Sequence, residues 1–175
     1  MPLSISLFSM ILVIASSNYL VQFPLNDWLT WGAFPYPFSF LVTEVTNRFH
    51  GPKKARLIVY IGFMFGVVLS FLLSTPRIAA ASGAAFLTAQ LLDILLFTRW
   101  RQGDWWQAPL IASVAASFID TAVFWTIAFL GEDLPWVQWS IGDYAVKVAM
   151  DLALLYPFRV LINRYAYKNT AIVSD

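Results

Sequence analysis

Apolar residues run in blocks of about 20 along most of this chain, and no other feature constrains its fold as strongly. Blocks of that length are what a hydrocarbon layer of about 30 Å demands of a helix rising ~1.5 Å per residue. A water-soluble helix would instead show an apolar stripe recurring every three to four residues. Composition agrees, with 59% hydrophobic and 12% charged residues, where a soluble domain is roughly a quarter charged. The chain therefore reads as an all-α polytopic membrane protein, with its 175 residues forming a single transmembrane domain.

Six apolar segments are expected, at 3–23, 37–49, 56–75, 78–98, 108–130 and 139–161. The first lacks a basic leader and runs past Asn18 to Phe23, so it is read as a retained helix rather than a signal peptide. The second is short and follows Trp31-Gly32-Ala33-Phe34-Pro35-Tyr36-Pro37, where two prolines deny the backbone helical partners. Such backbone survives at membrane depth only when buried in protein or lining a wet cavity, so a Pro-broken second helix is expected.

Nine basic residues fall in the loops and tail on one side: Arg48, Lys53, Lys54, Arg56, Arg99, Arg101, Arg159, Arg164 and Lys168. The opposite side holds Arg77 alone, with Asp27, Glu132 and Asp133. The positive-inside rule then puts both termini in the cytoplasm, as in a multi-pass protein of a bacterial inner membrane. Tryptophans near segment ends, such as Trp28, Trp100 and Trp139, suit the interfacial belts.

Ionisable groups within the segments are costly and are functional candidates by default. They are Glu44, Asp93, Asp120, Lys147 and Asp151, with Asp143 near a helix end. Phe86, Gln90, Asp93 and Phe97 share one helical face, and Ser113, Ser117, Asp120 and Phe124 repeat that spacing on the next helix. The short connection between these helices makes them antiparallel neighbours, so the two polar stripes can face one cavity. Asp93 and Asp120 have no cation on their own helices, which points to a cavity rather than to packing. Lys147 with Asp151, and Glu44 with Arg48, stand at i,i+4 and can equally be structural pairs. The small-residue run from Ala79 to Ala85 reads as a helix-packing face.

Other chemistries lack their residues. A net charge of +1 gives no excess of cations for nucleic acid. There is no cysteine, and His50 alone cannot build an imidazole metal site, so no metal or cofactor is expected. No phosphate-binding G-x-x-x-x-G-K-[ST] sequence, H-E-x-x-H pair or nucleophile elbow occurs, so no enzyme is expected either.

Several blocks in order resemble the YhhQ-type queuosine precursor transporters, which are vitamin uptake transporter-like. They are Ser16-Ser17-Asn18-Tyr19-Leu20-Val21, Thr30-Trp31-Gly32-Ala33-Phe34-Pro35, Thr43-Glu44 with Asn47 and Gly51, and Arg77-Ile78-Ala79-Ala80-Ala81-Ser82. Gln90-Leu91-Leu92-Asp93, Trp105-Trp106-Gln107-Ala108-Pro109, Ser117-Phe118-Ile119-Asp120-Thr121 and Asp143-Tyr144 with Lys147 continue the likeness over nearly the whole chain. Glu44 stands where the family usually has Asp, keeping the carboxylate on a longer stem, and Arg48 stands where many members are acidic. The resemblance implies uptake of 7-cyano-7-deazaguanine and its aminomethyl form, precursors of queuosine in tRNA.

A guanine-type edge offers a ring N–H beside an exocyclic amine, and one carboxylate can accept from both. Under this resemblance Asp120 is the expected acceptor, with Gln90 and Asp93 opposite it and Glu44 as a further candidate. Gln90 and Asn18 would read the carbonyl, Phe124, Trp125 or the stretch from Trp31 to Phe38 would stack on the ring, and Lys147 and Asp151 complete the candidate set. The competing reading is a substrate-binding S-component of an energy-coupling-factor-type importer, which needs a separate ATPase module. A lipid-acting membrane enzyme or an assembly subunit is a further alternative. Six helices are few for alternating access, which makes a homodimer plausible.

Overall fold

A computed structural model describes residues 2–171, with side chains as far as residue 164, so the side chain of Lys168 lies outside the described part. Six α-helices follow one another without a strand among the described residues. They are α1 (Leu3–Leu20), α2 (Phe38–His50), α3 (Pro52–Leu73), α4 (Pro76–Trp100), α5 (Gln107–Phe129) and α6 (Trp136–Ala171). The expected segments fall on these helices in order, with ends that differ by a few residues except at α6, which runs ten residues past the expected end to Ala171.

Four of the six, α1, α3, α4 and α5, are long and apolar enough to cross a membrane by themselves. α2 has only 13 residues, or ~20 Å of helix. Residues 21–37 precede it without regular helix, folding through a Pro24–Thr30 bridge and one 3-10 turn at Trp31–Ala33. This is the break the two prolines impose. The segment packs so closely on α1 that a Cβ on Gly32 would stand 2.8 Å from the Ser17 carbonyl oxygen. α6 is long enough but carries Asp143, Lys147 and Asp151 in its interior.

The remaining turns are tight for local reasons. Gly51, at φ 80°, reverses the chain between α2 and α3, and Pro52 supplies a preformed first turn. Thr75 caps α4 by accepting from the Ile78 N–H at 3.3 Å, ahead of Pro76. Arg77 reaches the far end of α5, donating to the carbonyls of Ile127 and Leu130 and pairing with Glu132 at 2.7 Å. At the opposite end of the bundle, Arg48 donates to the Arg101 carbonyl at 2.6 Å and the Arg159 guanidinium lies over the Trp105 ring.

Lipid gives helices no hydrophobic reason to associate, so close packing and polar bonds must hold them. The most extensive contact is between α4 and α5, the antiparallel neighbours expected from their short connection. Ala81, Ala85 and Ala89 on α4 and Ala108, Ala112 and Ala116 on α5 are all buried, each set at spacings of four. The expected packing role of the Ala79–Ala85 run fits this face, and Gly83 extends it towards Val67 and Phe63 of α3. Polar bonds add to it: Asn47 of α2 donates to the Ile94 carbonyl and to Thr98 of α4, at 3.2 and 3.0 Å. The surface between the bundle ends is correspondingly apolar, with Phe8, Met64, Leu72 and Phe118 exposed, while Glu44, Asp93, Asp120, Asp143, Lys147 and Asp151 are buried inside.

Candidate functional site

Among the described residues five acidic side chains are buried, together with one base, Lys147. They sort into two layers about one helical turn apart. The first is built around Lys147, whose ammonium donates to Asp120 at 2.9 Å, Thr121 at 3.0 Å and Asp143 at 2.6 Å. Both oxygens of Asp120 are used, since its Oδ1 accepts from the Tyr36 hydroxyl at 2.5 Å. The same Asp143 oxygen that meets Lys147 also accepts from Thr121 and from the Trp125 indole, at 3.1 and 3.2 Å. Its other oxygen takes part in none of these bonds, and the side chain keeps 13% of its surface open.

The layer exists because of local spacing. Asp120 and Thr121 stand side by side on α5 with Trp125 one turn on, and Asp143 and Lys147 are one turn apart on α6. Tyr36 is delivered by the non-helical segment, sandwiched between Pro35 and Pro37. Lys147 turns back to Asp143 and across to Asp120 rather than forward to Asp151, so the i,i+4 pair expected with Asp151 is not the one that forms. Asp120 in turn is not without a cation: its partner comes from α6.

This layer forms one wall of a cavity of about 460 Å³ at the end of the bundle that holds residues 21–37. Tyr36, Phe124, Trp125, Trp28 and Phe86 supply flat apolar walls, and Asn18, Ser17 and Thr30 supply polar groups. The size lies within the range of small-ligand pockets, as does the pattern of aromatic walls with a few convergent polar groups.

The second layer lies one turn along α5 and α6. Asp151 accepts from Ser117 of α5 at 2.8 Å. The Glu44 and Asp93 carboxyls, from α2 and α4, meet within hydrogen-bonding range. Glu44 Oε1, Asp151 Oδ1 and both oxygens of Asp93 have no donor among the described residues. Arg48 is turned to the Arg101 carbonyl, so the expected Glu44–Arg48 pair does not form. Beside them Gln90 is bonded at both ends of its amide, accepting from Thr43 at 2.6 Å and donating to Ser39 at 2.8 Å.

Of the residues expected to hold a base, Asp120, Lys147, Asn18 and Phe124 line the large cavity. Gln90, Asp93, Glu44 and Asp151 lie in the second layer, and Trp31 is half exposed, so none of these five lines it. Gln90 and Asp93 therefore do not stand opposite Asp120 across this cavity. Asn18 also spends its amide on the Ile14 carbonyl of its own helix at 3.0 Å, leaving its oxygen for any ligand. Tyr36 and Trp125, expected only as rings to stack on a base, and Asp143, counted only as an ionisable group near a helix end, join the network as hydrogen-bonding partners together with Thr121. The signal for Asp143 was present, as it stands four residues before Lys147. Tyr36 pairs across 84 residues, and no periodicity announces that.

Comparison with known proteins agrees over most of the length. The family model described as "Putative vitamin uptake transporter" matches residues 30–75 and 68–162. The "Queuosine precursor transporter" of Escherichia coli is 37% identical over 91% of this chain and 85% of its own length. The "Probable queuosine precursor transporter" of Haemophilus influenzae is 32% identical over 96% of this chain and 89% of its own length. A Bacillus subtilis protein described in the same words as the latter is 27% identical over 72% of this chain. No solved structure matches.

Proposed function

From the chain's membership of the vitamin uptake transporter family, whose model spans most of its length, we propose that this multi-pass membrane protein imports 7-deazaguanine bases, the precursors from which queuosine is made. The observation that carries the reading is the wall of carboxylates set among aromatic rings in a cavity of about 460 Å³. Asp120 and Asp143 are acceptors held in place by Lys147, Tyr36, Thr121 and Trp125. A guanine-like edge brings two parallel donors, which a carboxylate accepts in a charge-assisted pair. The free oxygen of Asp143 and the unused lone pairs of Asp120 serve that edge, while Phe124, Trp125 or Tyr36 stacks on the ring. No bond in the base is made or broken, so no catalytic group is needed.

The cavity lies at the end of the bundle away from Arg48, Arg101 and Arg159, and the basic residues gathered at that other end support an orientation with both termini in the cytoplasm of a bacterial inner membrane. A homodimer remains compatible with the apolar outer surface. The test is uptake of labelled 7-cyano-7-deazaguanine into liposomes holding only the purified protein. Uptake by the protein alone supports an autonomous transporter. Uptake that begins only on adding an ATPase module would establish the S-component reading instead.

A further inference from the structure

The second layer is not accounted for by substrate binding. Glu44 on α2, Asp93 on α4 and Asp151 on α6 are 4%, 0% and 3% exposed, and among the described residues no cation forms an ion pair with them. Lys147, one turn from Asp151, is already committed to Asp120 and Asp143. The nearest other base on these helices, Arg48, is bound to a carbonyl at the bundle end. With every acid ionised, the two layers together would hold five negative charges against one positive in a region shielded from water. An isolated buried carboxylate is too costly to persist, and like charges at close range raise that cost.

The geometry also shows what is missing. The Glu44 and Asp93 carboxyls are neighbours, each presenting only acceptors, and Glu44 Oε1, Asp151 Oδ1 and both Asp93 oxygens lack a donor among the described residues. Glu44, Asp151 and Ser113 also line a small void of about 10 Å³. That is the lower limit for a single water and far too small for a base. The small particle that converts facing acceptors into a hydrogen bond is a proton.

We propose that Glu44, Asp93 and Asp151 form a proton-loading site that couples import of the base to the proton gradient. A carboxylate of the trio takes one proton from the side of the cavity mouth and becomes a neutral acid. That proton leaves to the opposite side as the base does, restoring the carboxylate. One proton and one base thus move inward together, with nothing oxidised or reduced. The link to the substrate layer is short: Ser117, which donates to Asp151, is three residues from Asp120 on α5, and Asp151 is one turn from Lys147 on α6. α1 and the described non-helical segment bring no charged group to the trio, and the basic residues of α3 are at its start, Lys53, Lys54 and Arg56.

This inference rests on the cavity being the path of the base, and the experiment separates the two claims. Purified protein in liposomes is given labelled 7-cyano-7-deazaguanine, first for exchange at equal pH and then under an inward acid gradient with the membrane potential clamped. The wild type should exchange, and should accumulate the base up to ~10-fold per pH unit, the limit for one proton per base. Asp93→Asn should keep exchange within a few fold and lose accumulation, with base-driven acidification of a trapped pH dye lost as well. Exchange without any response to the pH gradient, or accumulation driven by sodium instead, would overturn the proton site and leave the substrate reading standing. Absence of exchange by the wild type would overturn the substrate reading. The site is then read without substrate, by the infrared C=O band of a protonated carboxyl in acid-minus-alkaline difference spectra. Loss of that band in Asp93→Asn supports the proton site, and its persistence there and in Asp151→Asn overturns it. Asp151→Asn takes the place of Asp93→Asn in every arm if the latter does not fold.

Discussion

Two polar layers lie one turn apart in this bundle, and their chemistry is opposite. Around Lys147 every charged oxygen but one of Asp143 is bonded, and the layer faces a cavity large enough for a ligand. Around Asp93 the carboxyls outnumber their donors and face almost no space. Both layers are built around buried carboxylates, Asp120 of α5 and Asp143 of α6 in the first, Glu44 of α2, Asp93 of α4 and Asp151 of α6 in the second. What separates them is one ammonium group, and the difference shows how a single base can turn buried acids from a liability into a binding surface.

The comparison breaks most violently at Lys147. Lys147→Met leaves Asp120 and Asp143 buried without compensation, at a cost of about 3–5 kcal/mol. Unfolding of the detergent-solubilised protein should move to much lower temperature and uptake should vanish; wild-type stability would mean that the first layer is not balanced by this ion pair. Asp120→Asn is milder, because the amide keeps the shape and a partner for Tyr36. It should still cut uptake of the base at least ~10-fold, given about 1.5–3 kcal/mol for hydrogen bonds to a charged group. Membrane insertion should be intact, and unchanged uptake would remove Asp120 from the site.

Gln90→Leu sharpens the contrast from the other layer. It strands Thr43 and Ser39 hydroxyls, so stability should fall by about 1–3 kcal/mol, while the KM for the base stays at the wild-type value. A raised KM would place Gln90 in contact with substrate after all. The smallest effect belongs to a pair outside both layers. Arg77 and Glu132 are 44% and 49% exposed, and Glu132→Gln should cost about 0.2–1 kcal/mol and leave transport unaltered. A large loss there would mean that the mouth itself is held by charge.

Much of this was legible in the sequence. Blocks of apolar residues located six helices because the bilayer sets their length, and Pro35-Tyr36-Pro37 located the break because proline removes a donor. The list of buried acids was also complete, since charges in apolar blocks are conspicuous. Their fates were not legible. Asp93 and Asp120 occupy the same place in matching stripes, four residues before Phe97 and Phe124, yet only Asp120 meets an ammonium. That ammonium comes from 27 residues further along, and the periodicity of one helix carries no information about rotation of another. For the same reason the pairing of Gln90 with Thr43, 47 residues away, was hidden. Nearest-neighbour spacing on α6 suggested Asp151 for Lys147, while the packing of α5 supplied a second carboxylate on the other side and drew the lysine that way.

The alanine faces of α4 and α5 carry a mechanical consequence. Two helices meeting through side chains of one carbon have no long side chains to re-rotamerise, so they travel as a single plank. Asp93 is fixed to one edge of that plank and Asp120 to the other, which keeps the two layers in constant register whatever the bundle does. The ribbon of residues 21–37 is tied to three different helices instead, to α1 through Gly32, to α5 through the Tyr36 hydroxyl and to α6 through Trp28 over Gly142.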